Sequence, residues 1–225
     1  INSAPAIVRW DGVLVRVQVK MCGITRPEDA VTAVAHGVSA LGVLFWSGSS
    51  RFVSIEQARE ICAAVPPLTP VVGLFVDATE AEVERVLADV PINLLQLHGD
   101  ETPSFCEQWQ VPYIKALKAL PGANLLDQAA AFPRARGFLL DAVHNGQFGG
   151  TGQTFDWSLV PPEFDRPLVL AGGLNPATVG EAISRLRPVA VDVSSGVEVS
   201  PGVKDPEKIR QFMQAVQAAE EVRAT

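Results

Sequence analysis

The chain has 225 residues, of which 48% are hydrophobic and 19% charged, and its formal net charge at pH 7 is −7. The acidic balance argues against binding to nucleic acid or to anionic membrane surfaces, and every apolar run is far shorter than the roughly 18 residues of a membrane span. Three cysteines without metal-ligand spacing, and no evident signal peptide, predict a cytoplasmic protein with free thiols.

Residues 1–16 lack the pattern of the rest of the chain. This segment begins with Ile rather than Met. We treat it as an N-terminal extension with three interpretations: a remnant of cloning, an alternative start, or an extra strand that covers the bottom of the fold. Residues 17–225 form the regular part.

From Val17 onward, apolar strand candidates alternate with helices at an average spacing of roughly 25 residues, about one eighth of a barrel of ordinary length. Ser54 with Gln57 and Thr79 with Glu82 have the spacing of capping boxes, and Asp205 with Pro206 begins the last helix. The pattern predicts an α/β protein, a single (β/α)8 TIM barrel over residues 17–225. Its strands begin near Val17, Ala40, Val71, Asn93, Pro112, Gly137, Leu168 and Val189.

The first predicted strand ends in the sequence VKMCG. Because side chains alternate along a strand, Lys20 and Cys22 share the interior face, and Met21 lies on the apolar, helix-facing side. Cys22 is then either a thiol at the barrel mouth or a small buried hydrophobic residue. In the first case a nearby cation would lower its pKa from about 8.5 and make it a nucleophile or a base.

Several later strands also end in polar residues. Asp141 follows GFLL, just before the glycine-rich stretch 144–154, and it is either a general acid or a carboxylate that holds the loop. Gln96 and His98 end the fourth predicted strand, and we assign both to substrate binding. Arg51 follows the second strand in a loop of small residues, and it is either a guanidinium that binds a ligand carboxylate or a solvated surface arginine. The three histidines are scattered, which argues against a metal site.

Small residues follow the seventh and eighth predicted strands. Gly172 and Gly173 come after LVLA, and Ser194, Ser195 and Gly196 come after VAVDV. Such turns free backbone N–H groups, and the helix that we expect to begin at Asn175–Pro176 directs its N-terminus at the same place. The sequence therefore predicts a phosphate site at the loops after strands 7 and 8. Asp192, in the last strand, is expected to orient this loop, with contact to the ligand as the second interpretation.

The chain resembles phosphoribosylanthranilate isomerase, an enzyme of tryptophan biosynthesis, in seven blocks that keep their order and spacing from Val17 to the C-terminus. The two most specific are KMCGIT and DVSSGVE…PGVKD. The others are GVLFWSGSSRFV, VGLFVD, LQLHGDE, LLDA…GGTGQTFDW and LAGGLNPATV.

The resemblance implies a (β/α)8 barrel with no metal or organic cofactor that acts on a small phosphorylated substrate as a monomer or homodimer. It implies an Amadori rearrangement in which Cys22 is the general base and Asp141 the general acid. Arg51 then lies near the anthranilate carboxylate. The phosphate would be held by Gly172, Gly173, Ser194, Ser195 and Gly196. The Ser-Gly-Ser-Ser sequence before Arg51 departs from the commoner form with Pro and Lys, which leaves the rigidity of this loop open.

Three other functions are compatible with parts of the pattern. A metal-dependent pentose-phosphate epimerase would need clustered His and Asp ligands, which the scattered histidines do not offer. An indole-glycerol-phosphate synthase should carry Lys and Glu at several strand ends, where only Lys20 and Lys115 fit. A non-catalytic phosphosugar-binding module would keep the phosphate turns but would not need both Cys22 and Asp141.

Overall fold

The computed structural model describes residues 8–10, 13–120, 122–141 and 157–223. Two short strands at its start, β1 (Val8–Trp10) and β2 (Val13–Val15), pair antiparallel with each other in a sheet separate from the rest. The glycine-rich stretch 144–154 lies outside the described residues.

Eight parallel strands form the centre of the molecule. The strands follow one another around the ring in chain order, and the last, β10, pairs with the first, β3, which closes the barrel. This confirms the predicted fold, and the strands begin within one residue of the expected positions. They are β3 (Gln18–Met21), β4 (Ala40–Leu44), β5 (Val71–Phe75), β6 (Leu94–Leu97), β7 (Tyr113–Lys118), β8 (Phe138–Asp141), β9 (Leu168–Leu170) and β10 (Ala190–Val193).

Helices follow most of these strands and surround the barrel. They are α1 (Pro27–Ala35), α2 (Ile55–Ala63), α3 (Glu80–Asp89), α4 (Pro103–Glu107), α5 (Leu125–Ala130), α6 (Val179–Leu186) and α7 (Pro206–Arg223). A 3-10 turn, Trp157–Leu159, lies between β8 and β9, and another, Ser195–Val197, follows β10. The hairpin of β11 (Glu198–Ser200) and β12 (Val203–Lys204) leads into α7.

Local sequence signals explain where these helices begin. The hydroxyls of Ser54 and Thr79 accept hydrogen bonds from the backbone N–H groups of Gln57 and Glu82. The side chains of Gln57 and Glu82 accept in turn from the backbone N–H groups of Ser54 and Thr79, so both capping boxes are confirmed. Asp205 accepts from two backbone N–H groups at the start of α7. Each cap satisfies donors that the first helical turn leaves unpaired.

The prediction that a helix begins at Asn175–Pro176 is wrong by three residues, since α6 begins at Val179. Asn175 Oδ1 accepts from the N–H of Ala177, and Thr178 Oγ1 accepts from the N–H of Asn175. These two bonds hold residues 175–178 in a turn. The helix starts only where that turn ends.

The hydrophobic core has two layers, because each strand directs alternate side chains inward and outward. The outer layer lies between strands and helices and contains Met21, which is fully buried. Inside the barrel, one apolar cluster includes Leu139 and Val169, and another contains Cys22, Leu44 and Leu74. The expected directions of Met21 and Cys22 are therefore correct. None of the helices described here has the length and apolar character needed to cross a membrane.

Candidate active site

The carboxyl ends of the barrel strands surround a cavity that brings together all the predicted site residues except Gly196. It is lined by Cys22, Leu44, Trp46, Ser49, Arg51, Leu74, Val76, Gln96, His98, Asp141, Ala171, Gly172, Gly173, Leu174, Asp192, Ser194 and Ser195. Parallel strands share one carboxyl edge, which is why residues far apart in the chain meet here.

Cys22 follows β3 directly and lies next to a buried ion pair. Lys20 Nζ is 2.9 Å from Asp192 Oδ1, and both side chains are less than a tenth exposed. Burial raises the pKa of the Cys22 thiol, while the positive charge of Lys20 opposes that rise. Burial disfavours the charge on Lys20, but Asp192 and Cys22 together raise the pKa of Lys20 above its ordinary value. The sequence suggested that Asp192 orients a loop, and in the structure its carboxylate pairs with Lys20 on the adjacent strand.

His98 and Asp141 lie beside each other on the same cavity wall. His98 Nε2 is 3.6 Å from Asp141 Oδ2, a distance too long for a hydrogen bond. Burial, with repulsion from Lys115 and Lys20, lowers the pKa of His98 to about 3. The ring is therefore neutral at physiological pH.

The side chain of His98 is hydrogen-bonded to the neighbouring Gln96. The Gln96 side-chain nitrogen lies 2.9 Å from His98 Nδ1 and donates to it in the tautomer whose proton is on Nε2, the nitrogen that faces Asp141. Gln96 is fully buried, and its Oε1 has no hydrogen-bond partner among the described residues.

The backbone around His98 is held by a second buried lysine. Lys115 Nζ donates to the carbonyl oxygens of Leu97 and Gly99, on either side of His98, and pairs with Glu101 Oε2 at 3.0 Å. These bonds fix the loop after β6, so the position of the imidazole is set by the scaffold.

Arg51 is oriented by a carboxylate from the far end of the chain. Its Nε and Nη2 donate to the two oxygens of Glu198 over 2.9 and 2.7 Å. This pairing raises the pKa of Arg51. Lys204 Nζ lies 2.8 Å from Glu198 Oε1, so one carboxylate holds two cations. The remaining edge of the guanidinium is available to the cavity.

The two small-residue turns pack directly on each other. Gly172 and Gly173 have φ of +80° and +66°, a conformation that glycine adopts without steric cost. A Cβ on Gly196 would lie 1.9 Å from the carbonyl oxygen of Leu174, so only glycine fits between the turns. Gly196 therefore lies behind the cavity wall and supports it, while Ser194 and Ser195 form the wall itself.

Sequence reasoning missed the apolar side of the cavity and the partner of Arg51. Leu44, Trp46, Leu74 and Val76 form the apolar part of the cavity that Arg51 also lines. Side-chain alternation along β4 and β5 could have predicted that Leu44 and Leu74 point into the barrel. Glu198 had no such signal, since it lies in a hairpin after the barrel.

A family model described as N-(5'phosphoribosyl)anthranilate (PRA) isomerase matches residues 19–215. The chain is 53% identical over 200 residues to the N-(5'-phosphoribosyl)anthranilate isomerase of Pseudomonas fluorescens SBW25, which covers 89% of this chain and 95% of that relative.

Two solved structures of this family are also similar. The phosphoribosyl anthranilate isomerase of Thermotoga maritima is 41% identical with a TM-score of 0.83, over 90% of this chain and 99% of the other. A phosphoribosyl anthranilate isomerase bound to reduced 1-(o-carboxyphenylamino)-1-deoxyribulose 5-phosphate is 39% identical with a TM-score of 0.78, over the same shares.

Proposed function

The chain belongs to the N-(5'-phosphoribosyl)anthranilate isomerase family, and we propose that Cys22 and Asp141 are the general base and general acid of its isomerisation. The enzyme converts N-(5-phosphoribosyl)anthranilate into 1-(2-carboxyphenylamino)-1-deoxyribulose 5-phosphate, an Amadori rearrangement in tryptophan biosynthesis. The relative that binds a reduced form of this product supports the assignment.

The observation that carries the proposal is that Cys22 and Asp141 line one cavity from strands on different parts of the ring. Asp141 gives a proton to the ribose ring oxygen, the C1–O bond breaks, and the amine nitrogen forms an iminium ion. The iminium acidifies the proton on C2, which the Cys22 thiolate removes. The resulting enolamine tautomerises to the ketone, so no external oxidant or reductant is needed.

Positioning of the substrate at both ends supports this chemistry. Backbone amides of Gly172, Gly173, Ser194 and Ser195 bind the phosphate, and Gly196 maintains the packing of that turn. Arg51 binds the anthranilate carboxylate within the cavity. Gln96 and His98 bind the sugar hydroxyls, which their place in the cavity lining supports. A substrate held at both ends spends more of its time in the reactive orientation.

The test is a fluorescence assay in which purified protein meets freshly made phosphoribosylanthranilate in the presence of a chelator. The anthranilate fluorescence should decay with the wild-type chain. Cys22→Ala should lower kcat by about 10²-fold or more, since a general base is removed. Cys62→Ala is the matched control, because Cys62 is a free, partly exposed thiol on α2. Normal turnover in Cys22→Ala would remove that residue from the mechanism.

The boundaries and the assembly of the enzyme follow as further proposals. Residues 17–225 are the catalytic barrel and residues 1–16 an extension, which the family match over 19–215 supports. A related enzyme from Thermotoga maritima is described as dimeric, and this chain acts as a monomer or homodimer in the cytoplasm. Sedimentation of the purified chain distinguishes the two assembly states.

A further inference from the structure

Cys22 lies beside a buried cation, the Lys20 ammonium, which takes no part in the proton transfers. We propose that Lys20 is a positioning residue that stabilises Cys22 as the thiolate, and that Asp192 holds the Lys20 ammonium in place for this purpose. The inference rests on the proposed role of Cys22.

The first support is that the side chains of Cys22 and Lys20 both lie against Gly42, a residue of the neighbouring strand that has no side chain. A Cβ added to Gly42, on β4, would lie 3.0 Å from Cys22 Sγ and 3.0 Å from Lys20 Nζ. The two atoms are therefore within about 6 Å of each other, a range in which opposite charges interact strongly inside a protein. Glycine at position 42 leaves the space in which they meet.

The second support is the anchoring of the ammonium. Lys20 is 5% exposed and Asp192 is 8% exposed, and they pair at 2.9 Å across β3 and β10, where they are register partners. Burial without a partner would drive a lysine to lose its proton. The Asp192 carboxylate keeps the ammonium charged and fixes it beside the sulfur.

The third support is the balance of charge around Cys22. Lys20, Arg51 and Lys204 bring three positive charges, whereas Asp192 and Glu198 bring two negative ones. One positive charge is therefore left over among these five side chains, which favours an anionic sulfur at Cys22.

The other cations near Cys22, Lys204 and Arg51, both pair with Glu198. Lys204 Nζ donates to the Cys22 carbonyl oxygen, not to the sulfur, and is paired with Glu198. Arg51 uses two of its donors on the same Glu198. Lys20 is thus the cation best placed to act on the sulfur, where it opposes the rise in thiol pKa that burial causes; burial is the larger effect, and the pKa stays raised.

The test compares wild-type protein with Lys20→Met by two readouts over a range of pH. Iodoacetamide alkylation of Cys22, followed on its peptide by mass spectrometry, reports the thiolate directly. The ascending limb of kcat/KM reports the base. Both midpoints should move upward by about 1–3 pH units, the shift expected when a cation at this distance is lost.

Two further variants keep the comparison decisive. Lys20→Met leaves Asp192 as a buried, unpaired carboxylate, so Lys20→Met/Asp192→Asn, which removes both charges, is measured alongside and should also show a raised midpoint. Arg85→Met, which removes a positive charge from the exposed face of α3, is the control and should leave both profiles unchanged.

Alkylation needs no turnover, so its result is independent of whether Cys22 is the base. A midpoint that does not move in either Lys20 variant, with the circular dichroism of the folded protein retained, would overturn the proposal. A raised alkylation midpoint without a change in the kcat/KM profile would support the Lys20–Cys22 coupling and count against Cys22 as the base.

Discussion

Arg51 and Glu198, which are 147 residues apart in the chain, form a two-pronged ion pair at the rim of the barrel. The pair fixes the plane of the guanidinium, because both of its nitrogen donors on one edge are used. The free edge then meets the ligand already oriented, which lowers the entropic cost of binding.

Loss of this guanidinium should weaken substrate binding. We expect Arg51→Ala to raise KM by about 10- to 100-fold, which corresponds to the roughly 1.5–3 kcal/mol of a hydrogen bond to a charged group. Arg51→Lys keeps the charge but cannot form the two-pronged contact, so its KM should lie between those of the wild type and Arg51→Ala. Steady-state kinetics measure both. If KM and kcat are unchanged in Arg51→Ala, the side chain has no role in binding.

Removal of the proposed acid should act on the chemical step rather than on binding. Asp141→Asn keeps the shape of the side chain but cannot protonate the ring oxygen, so kcat should fall by about 10²-fold or more with little change in KM. Asp100→Asn is the matched control, since Asp100 is an exposed carboxylate at the same end of the barrel. Wild-type kcat in Asp141→Asn would exclude the assigned role.

The contact between the two small-residue turns predicts a steric effect at Gly196. The Cβ of Gly196→Ala would overlap the Leu174 carbonyl, so backbone must move, and we expect lower thermal stability together with a raised KM. Gly180→Ala is the control, because a Cβ there meets only ordinary contacts at 3.8 Å and a helix gains about 0.5–1 kcal/mol from the change. Differential scanning calorimetry and kinetics test both. A Gly196→Ala protein as stable and as tightly binding as wild type would contradict this packing.

The neutral state of His98 predicts a pH dependence of stability. The pKa of His98 is lowered to about 3 in the folded protein, while the unfolded chain has the ordinary value near 6.5. Between these values the unfolded state binds one more proton, so the free energy of unfolding should decrease by about 1.4 kcal/mol for each pH unit of acidification.

Urea unfolding of wild type and His98→Gln between pH 7 and pH 4 measures this effect. The substitution should remove the contribution of His98 and make the decrease less steep. His36→Gln serves as the control, because His36 follows α1 on the outside of the barrel, where its Nδ1 hydrogen-bonds to the Thr32 carbonyl. Parallel pH profiles of wild type and His98→Gln would show that the imidazole is protonated in the fold.

The sequence by itself determined the barrel and the location of the site. Alternation of side chains along the strands and capping residues at the helix starts are local properties, so they could be read without coordinates. Since parallel strands end at one edge, Cys22 and Asp141 could be placed at the same mouth from their strand positions alone. The helix start at Asn175 was misplaced because the Asn-Pro signal for a helix start is also compatible with a turn. Hydrogen bonds from Ala177 to Asn175 and from Asn175 to Thr178 form that turn, and the helix begins after it.

Only the tertiary structure decided the electrostatics of that site. Lys20 meets Asp192 across 172 residues, and Arg51 meets Glu198 from a hairpin outside the repeating pattern. Charge states in a cavity depend on burial and on which charged groups face one another, and neither is encoded in the spacing of a motif. The neutral imidazole of His98 and the anchoring of the Lys20 ammonium by Asp192 therefore follow from three-dimensional packing.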